Sequence, residues 1–237
     1  MKVLMIIPAY NEEKNILNVV NSIREYRQTS KYLIDYVVVN DGSTDNTEKV
    51  LKENGIHYIS LIENLGIGGA VQTGYMYAKK HGYDVAVQFD GDGQHDIESL
   101  ENLVKPVING TCDFCVGSRF VDNSSSSFKS TKLRRLGIKY FSILIKLFTG
   151  VRVCDPTSGY RAANKAVIDL FARDYPADYP EPESLVQLSK KEFSIGEVPV
   201  NMFERAEGAS SINAWKSVYY IIKVSSAILF VCLQKNK

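Results

Sequence analysis

The chain alternates between short apolar runs and polar turns. Val3–Ile7, Tyr36–Val39, His57–Leu61, Val85–Phe89 and Phe114–Gly117 have strand length, and the continuous apolar runs read as strands buried on both faces. Between them the spacing changes. Ile16, Leu17, Val20 and Ile23 recur at helical intervals behind a predicted helix start at Pro8–Glu13, where Asn11 caps and Glu12 and Glu13 fill the first turn. Further helices are predicted after the polar turn Asn40–Thr47, after Glu63–Ala70 as far as about Lys80, and over Ile97–Ile108. This alternation implies an α/β fold with a mainly parallel sheet flanked by helices.

The pattern changes after Phe120. Asp122–Ser127 is a polar loop, and Lys129–Arg135 is a basic stretch that leads into the apolar, aromatic helix Leu136–Phe148. Two readings stay open for that helix: a core helix with a solvated basic end, or an interfacial helix with Lys132, Arg134 and Arg135 near anionic head groups. Asp155–Ala162 is predicted as a turn of small hydrogen-bonding residues, Tyr179–Ser184 leads to a helix beginning near Leu185, Ser194–Val200 reads as a strand, and Arg205–Ser211 as a polar loop. The apolar tail Val218–Leu233 is interrupted by Lys223, Ser225 and Ser226 and is shorter than the roughly 20 residues of a spanning helix. It is expected to lie on a membrane or pack on a partner, including a second copy of the chain. With no internal repeat and no separating linker, a catalytic unit is expected over 1–211 and an amphipathic helical tail over 212–237.

Composition narrows the class. At 237 residues, 45% hydrophobic and 23% charged, the chain can bury a substantial core, and its formal net charge of +1 argues against general nucleic-acid binding. Cys112, Cys115, Cys154 and Cys232 form no disulfide framework, and Cys112-x-x-Cys115 lacks a second pair or nearby histidine to complete a zinc site. The apolar start before Pro8 is too short for a signal peptide, which places the chain in the cytoplasm as an expectation. Gly66 and Gly68 fit the first two glycines of a dinucleotide fingerprint, but Val71 stands at the third place and the motif follows the third strand, so NAD binding is rejected. Close packing or approach to a ligand remains open for Gly68.

The chemistry centres on Gln88–His95. The strand Val85–Phe89 delivers Asp90, Asp92 and Gln94 into a turn with Gly91 and Gly93, at the sheet end where open α/β folds bind ligands. Two carboxylates so close repel each other unless a cation holds them, and hard oxygen ligands suit Mg²⁺ or Mn²⁺. Pro8–Glu12, including Tyr10 and Asn11, and Asp41–Ser43, including Gly42, should converge with this turn. Phosphate oxygens, a metal and a base–ribose unit would satisfy the three loops together, which points to a nucleoside-diphosphate donor of a sugar.

Pro8-Ala9-Tyr10-Asn11-Glu12, Asn40-Asp41-Gly42-Ser43-Thr44-Asp45, Asn64-x-Gly66 and Asp90-Gly91-Asp92-Gly93-Gln94-His95 resemble the donor-binding motifs of family 2 glycosyltransferases with the GT-A fold. Gly117-Ser118-Arg119 and Asp155–Arg161 are similar to the dolichol-phosphate mannose synthase and polyprenyl-phosphate branch. The resemblance implies a Rossmann-like GT-A domain in which Pro8, Tyr10 and Glu12 line the base and ribose, Asp41 lies near the base, and Asp90, Asp92 and Gln94 hold metal and diphosphate. Arg119 would meet the acceptor phosphate or the donor diphosphate, with Arg134 or Arg135 and Ser158 on the acceptor side. Arg205 resembles an arginine that closes over the diphosphate. Ser211 and Ile67 stand where the family often has lysine.

The implied reaction is inverting, metal-dependent transfer from a UDP- or GDP-sugar to a polyprenyl phosphate at the cytosolic membrane face, with Asp92 and Arg119 catalytic. A hydroxyl acceptor would need a base. Glu181 or Glu183 could supply one, or both could be acids at a proline-set helix start. A polysaccharide-building transferase and a non-catalytic nucleotide-sugar binder are the alternatives.

Overall fold

The computed structural model describes residues 1–121, 132–203 and 214–233. Among them, seven strands form one sheet in the order β3-β2-β1-β4-β6-β5-β7. The strands are β1 (Lys2–Ala9), β2 (Leu33–Asn40), β3 (Tyr58–Ser60), β4 (Val85–Gln88), β5 (Phe114–Ser118), β6 (Arg161–Asn164) and β7 (Ile195–Pro199). The helices are α1 (Ile16–Thr29), α2 (Thr47–Glu53), α3 (Gly66–His81), α4 (Leu100–Ile108), α5 (Lys132–Thr149), α6 (Lys165–Phe171), α7 (Pro180–Lys190) and α8 (Ala214–Leu233).

All neighbours are parallel except β6, which runs antiparallel to both β4 and β5. Helices cover both faces, as the apolar runs require. Along β1, Val3, Met5 and Ile7 join α1 and α4 residues in one core, while Leu4 and Ile6 join α3, α5, α6 and α7 residues in the other. The chain steps outward through β1, β2 and β3, then returns to place β4 on the other side of β1. The crevice between the carboxyl ends of β1 and β4 is therefore the topological switch point, where such sheets bind ligands.

Several expectations are corrected. Asn11 is no helix cap: α1 begins at Ile16 behind Asn15, and Asn11 sits at φ +56°. α3 starts at Gly66, so Gly68 and Gly69 are helical. α7 starts at Pro180 with Glu181 and Glu183 in its first turn, which is the proline-set reading. Arg161–Asn164, read partly as turn, is strand β6. Ala162 and Ala163 are fully buried between strands, so a position closed on both sides outweighs the weak strand preference of alanine. α6 follows directly, its Val167 N–H capped by Asn164 Oδ1 at 3.0 Å. α5 packs Ile138, Phe141 and Ile145 into the core, whereas Leu136, Tyr140, Ile143 and Leu147 are exposed. α8 packs on α7 through Val224 and Ile228, and Lys190 Nζ donates to the Val231 carbonyl at 2.6 Å. Among the described residues, no helix is long and apolar enough to cross a membrane.

Candidate active site

The β1 and β2 loops are stapled to each other. Asn11 Oδ1 accepts the N–H groups of Thr44 (2.8 Å) and Asp45 (3.3 Å), and the Asn11 N–H donates to Ser43 Oγ at 3.0 Å. The left-handed backbone that asparagine tolerates turns its side chain onto the neighbouring loop. The Glu12 N–H donates to Thr47 Oγ1 (2.8 Å), and Glu12 Oε2 takes the Asn15 side-chain amide. Tyr10 is left 47% exposed at the rim, where a ring can meet a flat ligand. Asp41 is buried, and its Oδ1 accepts the Leu65 N–H at 2.7 Å, capping the entry to α3. Gly42, at φ +64°, leaves no space for a side chain against Asn64. Gly68 packs against the carbonyls of Pro176 and Ala177, where any Cβ would clash, so helix–loop packing by itself requires glycine there.

The acidic turn lies beside the β1 loop. Any Cβ on Gly91 would come within 2.9 Å of the Pro8 carbonyl oxygen. Asp92 Oδ1 accepts the Gln94 N–H at 3.1 Å. Asp90 Oδ1 accepts the Gln88 side-chain amide at 3.1 Å, and Gly159 lies against Asp90 Oδ2 with room for nothing but hydrogen. The Asp90 N–H donates to Nδ1 of buried His95 at 3.0 Å, so the neutral ring carries its proton on Nε2, 3.5 Å from Asp90 Oδ2. That ring stacks on Tyr160 with centroids 4.7 Å apart and planes within 9°. Burial pushes the His95 pKa down, against the pull of Asp90 and Asp92, and nearby Arg119 pushes the same way as burial. The four groups therefore share one electrostatic neighbourhood.

On the far side, Arg119 is buried and bidentate on buried Asp155, Nε to Oδ2 at 2.6 Å and one terminal nitrogen to Oδ1 at 2.8 Å. Glu197 fixes that carboxylate's own backbone by accepting the N–H groups of Cys154 and Asp155, each at 2.8 Å. Ser158, expected to touch an acceptor phosphate, is buried inside the turn. Its hydroxyl accepts the Tyr160 N–H, and its carbonyl accepts Arg161 Nε at 2.6 Å. Arg161 is fully buried and joins this turn to α7, donating to the Pro156 and Glu181 carbonyls and to Ser184 Oγ.

Arg161, Asp155, His95 and Tyr160 are the residues that the motifs carried without a role. Gly-Tyr-Arg after an Asp-Pro-Thr-Ser turn was the available signal.

α7 separates the two acids. The half-buried Glu181 has its pKa raised by burial, partly offset by Arg161 and reinforced slightly by the charge of Asp90. Burial also raises Glu183, but its charged neighbours are Asp178 and Asp174. Arg135 is exposed near the start of α5, while the side chain of Arg134 and all of Arg205 and Ser211 lie outside the described residues.

The glycosyl transferase family 2 model matches residues 5–171. A UDP-N-acetylglucosamine–dolichyl-phosphate N-acetylglucosaminyltransferase of Methanococcus voltae is 32% identical over 93% of this chain and 94% of its own length. A polyprenol monophosphomannose synthase of Mycolicibacterium smegmatis is 30% identical over 90% and 81%. The crystal structure of glucosyl-3-phosphoglycerate synthase from Mycobacterium tuberculosis with Mn²⁺ and UDP-glucose superposes with a TM-score of 0.72 at 20% identity, covering all of this chain and 80% of that one. That structural likeness shows the GT-A sheet. With the acidic turn at the switch point and the family match spanning the β1, β2 and β4 loops that meet there, the chain belongs to glycosyl transferase family 2 and is a glycosyltransferase.

Proposed function

We propose that the enzyme transfers a sugar, with inversion, from a nucleoside-diphosphate sugar to a polyprenyl phosphate. The observation that carries this is the meeting of two unlike sites at one sheet end: the acidic turn closed over by the Tyr10 and Asp41 loops, and a buried arginine beside it. Asp90, Asp92 and Gln94 would hold Mg²⁺ or Mn²⁺, and the residues fit that group. Among the described residues no cluster of three or more His, Cys, Asp or Glu side chains could cage a metal. Two carboxylates that leave the remaining positions to water and phosphate suit an ion delivered with its nucleotide. Held by Asp90 and Asp92, such an ion would supply charge neutralisation for the departing nucleoside diphosphate. Asp92 orients that leaving group, while Pro8, Tyr10, Glu12 and Asp41 hold base and ribose.

A phosphate acceptor is already anionic and needs cations more than a base. Arg119, positioned by Asp155, and Arg135 on α5 supply them, and the names of the Methanococcus and Mycolicibacterium relatives describe lipid-phosphate acceptors. The Mycobacterium tuberculosis synthase binds Mn²⁺ with UDP-glucose, which supports the ion and a uridine donor. The exposed stripe Leu136, Tyr140, Ile143 and Leu147 supports docking of the 1–211 catalytic unit on the cytosolic face of a membrane, together with Ile222, Leu229 and Phe230 of α8. Neither helix carries an acid, and Arg135, Lys139 and Lys146 suit anionic head groups. Labelled UDP- and GDP-sugars offered with a short polyprenyl phosphate and Mn²⁺ should give a glycolipid. Asp92→Ala should lower that transfer by about a thousandfold, the scale of losing a preorganised charge contact. Transfer by Asp92→Ala at the wild-type rate in chelator would refute the metal role. The raised pKa of Glu181, within electrostatic reach of Asp90, favours one second reading, a hydroxyl acceptor with Glu181 as base, and product from a free saccharide but not from the polyprenyl phosphate would select it.

A further inference from the structure

We propose that His95 is a positioning residue that aims Asp90 at the donor's cation. This rests on the donor reading above. The ring touches Asp90 twice, taking its backbone N–H on Nδ1 and facing its Oδ2 with Nε2–H. It cannot tilt, because Tyr160 stacks flat on it and Phe89 meets it edge-on at 5.4 Å. Tyr160 is itself tied down, its hydroxyl donating to the Asp96 carbonyl at 3.2 Å. The backbone around His95 is held as well: His95 bridges Met202, and the Phe203 N–H donates to the Gln94 carbonyl at 2.8 Å.

The Gln88 amide donates to Asp90 Oδ1 and Gly159 packs against Oδ2, while the Asp90 side chain keeps 32% exposure for a ligand. Among the described residues, His95 is thus the group that contacts both the backbone and the carboxyl of Asp90. An ion held by few protein ligands depends on the direction of each, and partners that orient ligands are worth roughly 10–100-fold in metal affinity.

The test measures Mn²⁺ binding to the full chain by electron paramagnetic resonance of the free ion, with saturating UDP and, separately, GDP. His95→Phe keeps a ring to stack on Tyr160 but loses both nitrogens. His95→Asn puts an amide oxygen near the place of Nδ1. His95→Gln puts an amide nitrogen near the place of Nε2. His95→Phe is expected to weaken Mn²⁺ binding by roughly 10–100-fold, with turnover partly restored by excess Mn²⁺, and His95→Asn is expected to recover most of the affinity. Wild-type affinity in a folded His95→Phe protein overturns the proposal. Should that variant not fold, His95→Asn must bind Mn²⁺ more tightly than His95→Gln, and equal affinities overturn it. Wild-type protein that holds no Mn²⁺ with either nucleotide overturns the donor reading instead.

Discussion

The two halves of the sheet hold their polar loops by opposite means. On the β1–β4 side the loops are near the surface and are tied by many modest bonds from short side chains to backbone. Asn11 caps the N–H groups of Thr44 and Asp45, and Glu13 Oε2 accepts the Asn46 N–H at 2.9 Å. On the β5–β7 side the same task falls to a few buried charges. Arg119 and Asp155 pair with almost no exposure, and Arg161 joins the Pro156–Ser158 turn to α7. Order spread over many weak contacts degrades gradually. Order concentrated in desolvated ion pairs fails when one partner is lost, because the remaining charge has no water to fall back on.

Asp155→Ala should be the most damaging way to probe this contrast. Breaking a buried pair by removing one partner costs about 3–5 kcal/mol, and urea unfolding of the variant should show a loss of that size. A loss near zero would mean that the pair contributes no more than an exposed one. The matching change on the other side is Asn11→Ala. It removes hydrogen bonds to exposed backbone and leaves alanine at φ +56°, for a combined cost of about 1–2 kcal/mol. Asn11→Gly relieves the backbone part alone, so the difference between the two variants measures the strain. An Asn11→Ala loss as large as that of Asp155→Ala would erase the distinction.

The same contrast explains what could be read along the chain. The β1–β4 half announces itself: Val3–Ile7 is a continuous apolar run and Val85–Phe89 is one interrupted by Gln88 alone, and each ends in a polar turn whose residues bond within a few positions or to the adjacent loop. The placement of Asp90 and Asp92 at a strand end followed from that local order. The other half depends on partners far apart in sequence. Nothing near Arg119 points to Asp155, 36 residues away, and nothing near Arg161 points to Glu181 or Ser184. β6 was hidden because Arg-Ala-Ala-Asn lacks branched and aromatic residues, and only its closed neighbourhood makes it a strand. Glu181 and Glu183 differ in their charged neighbours, Arg161 and Asp90 against Asp178 and Asp174, and a helix start whose first five residues are Pro-Glu-Pro-Glu-Ser does not reveal that difference.

Glu181 offers the smallest and most discriminating change. Its carboxyl is raised above the ordinary 4.5 by burial first, with Arg161 opposing and Asp90 adding to the shift. A carboxyl raised on folding binds more protons in the folded than in the unfolded state between pH 4.5 and its folded pKa. Its contribution is therefore fully present below pH 4.5 and is lost as pH rises through the folded value. Glu181→Gln removes that titration. Relative to wild type, the variant should gain stability as pH climbs from 4.5 toward neutrality and show a constant difference below 4.5, which thermal unfolding across a pH series will read. A difference that stays flat over the whole range would mean that the carboxyl is not desolvated by folding. Activity then decides its chemistry. Against a polyprenyl phosphate, whose nucleophilic oxygen is already deprotonated, the amide should turn over at a rate close to wild type. A fall of roughly 100-fold or more, the scale of a lost general base, would transfer the role of base to Glu181 and with it the acceptor from a phosphate to a hydroxyl.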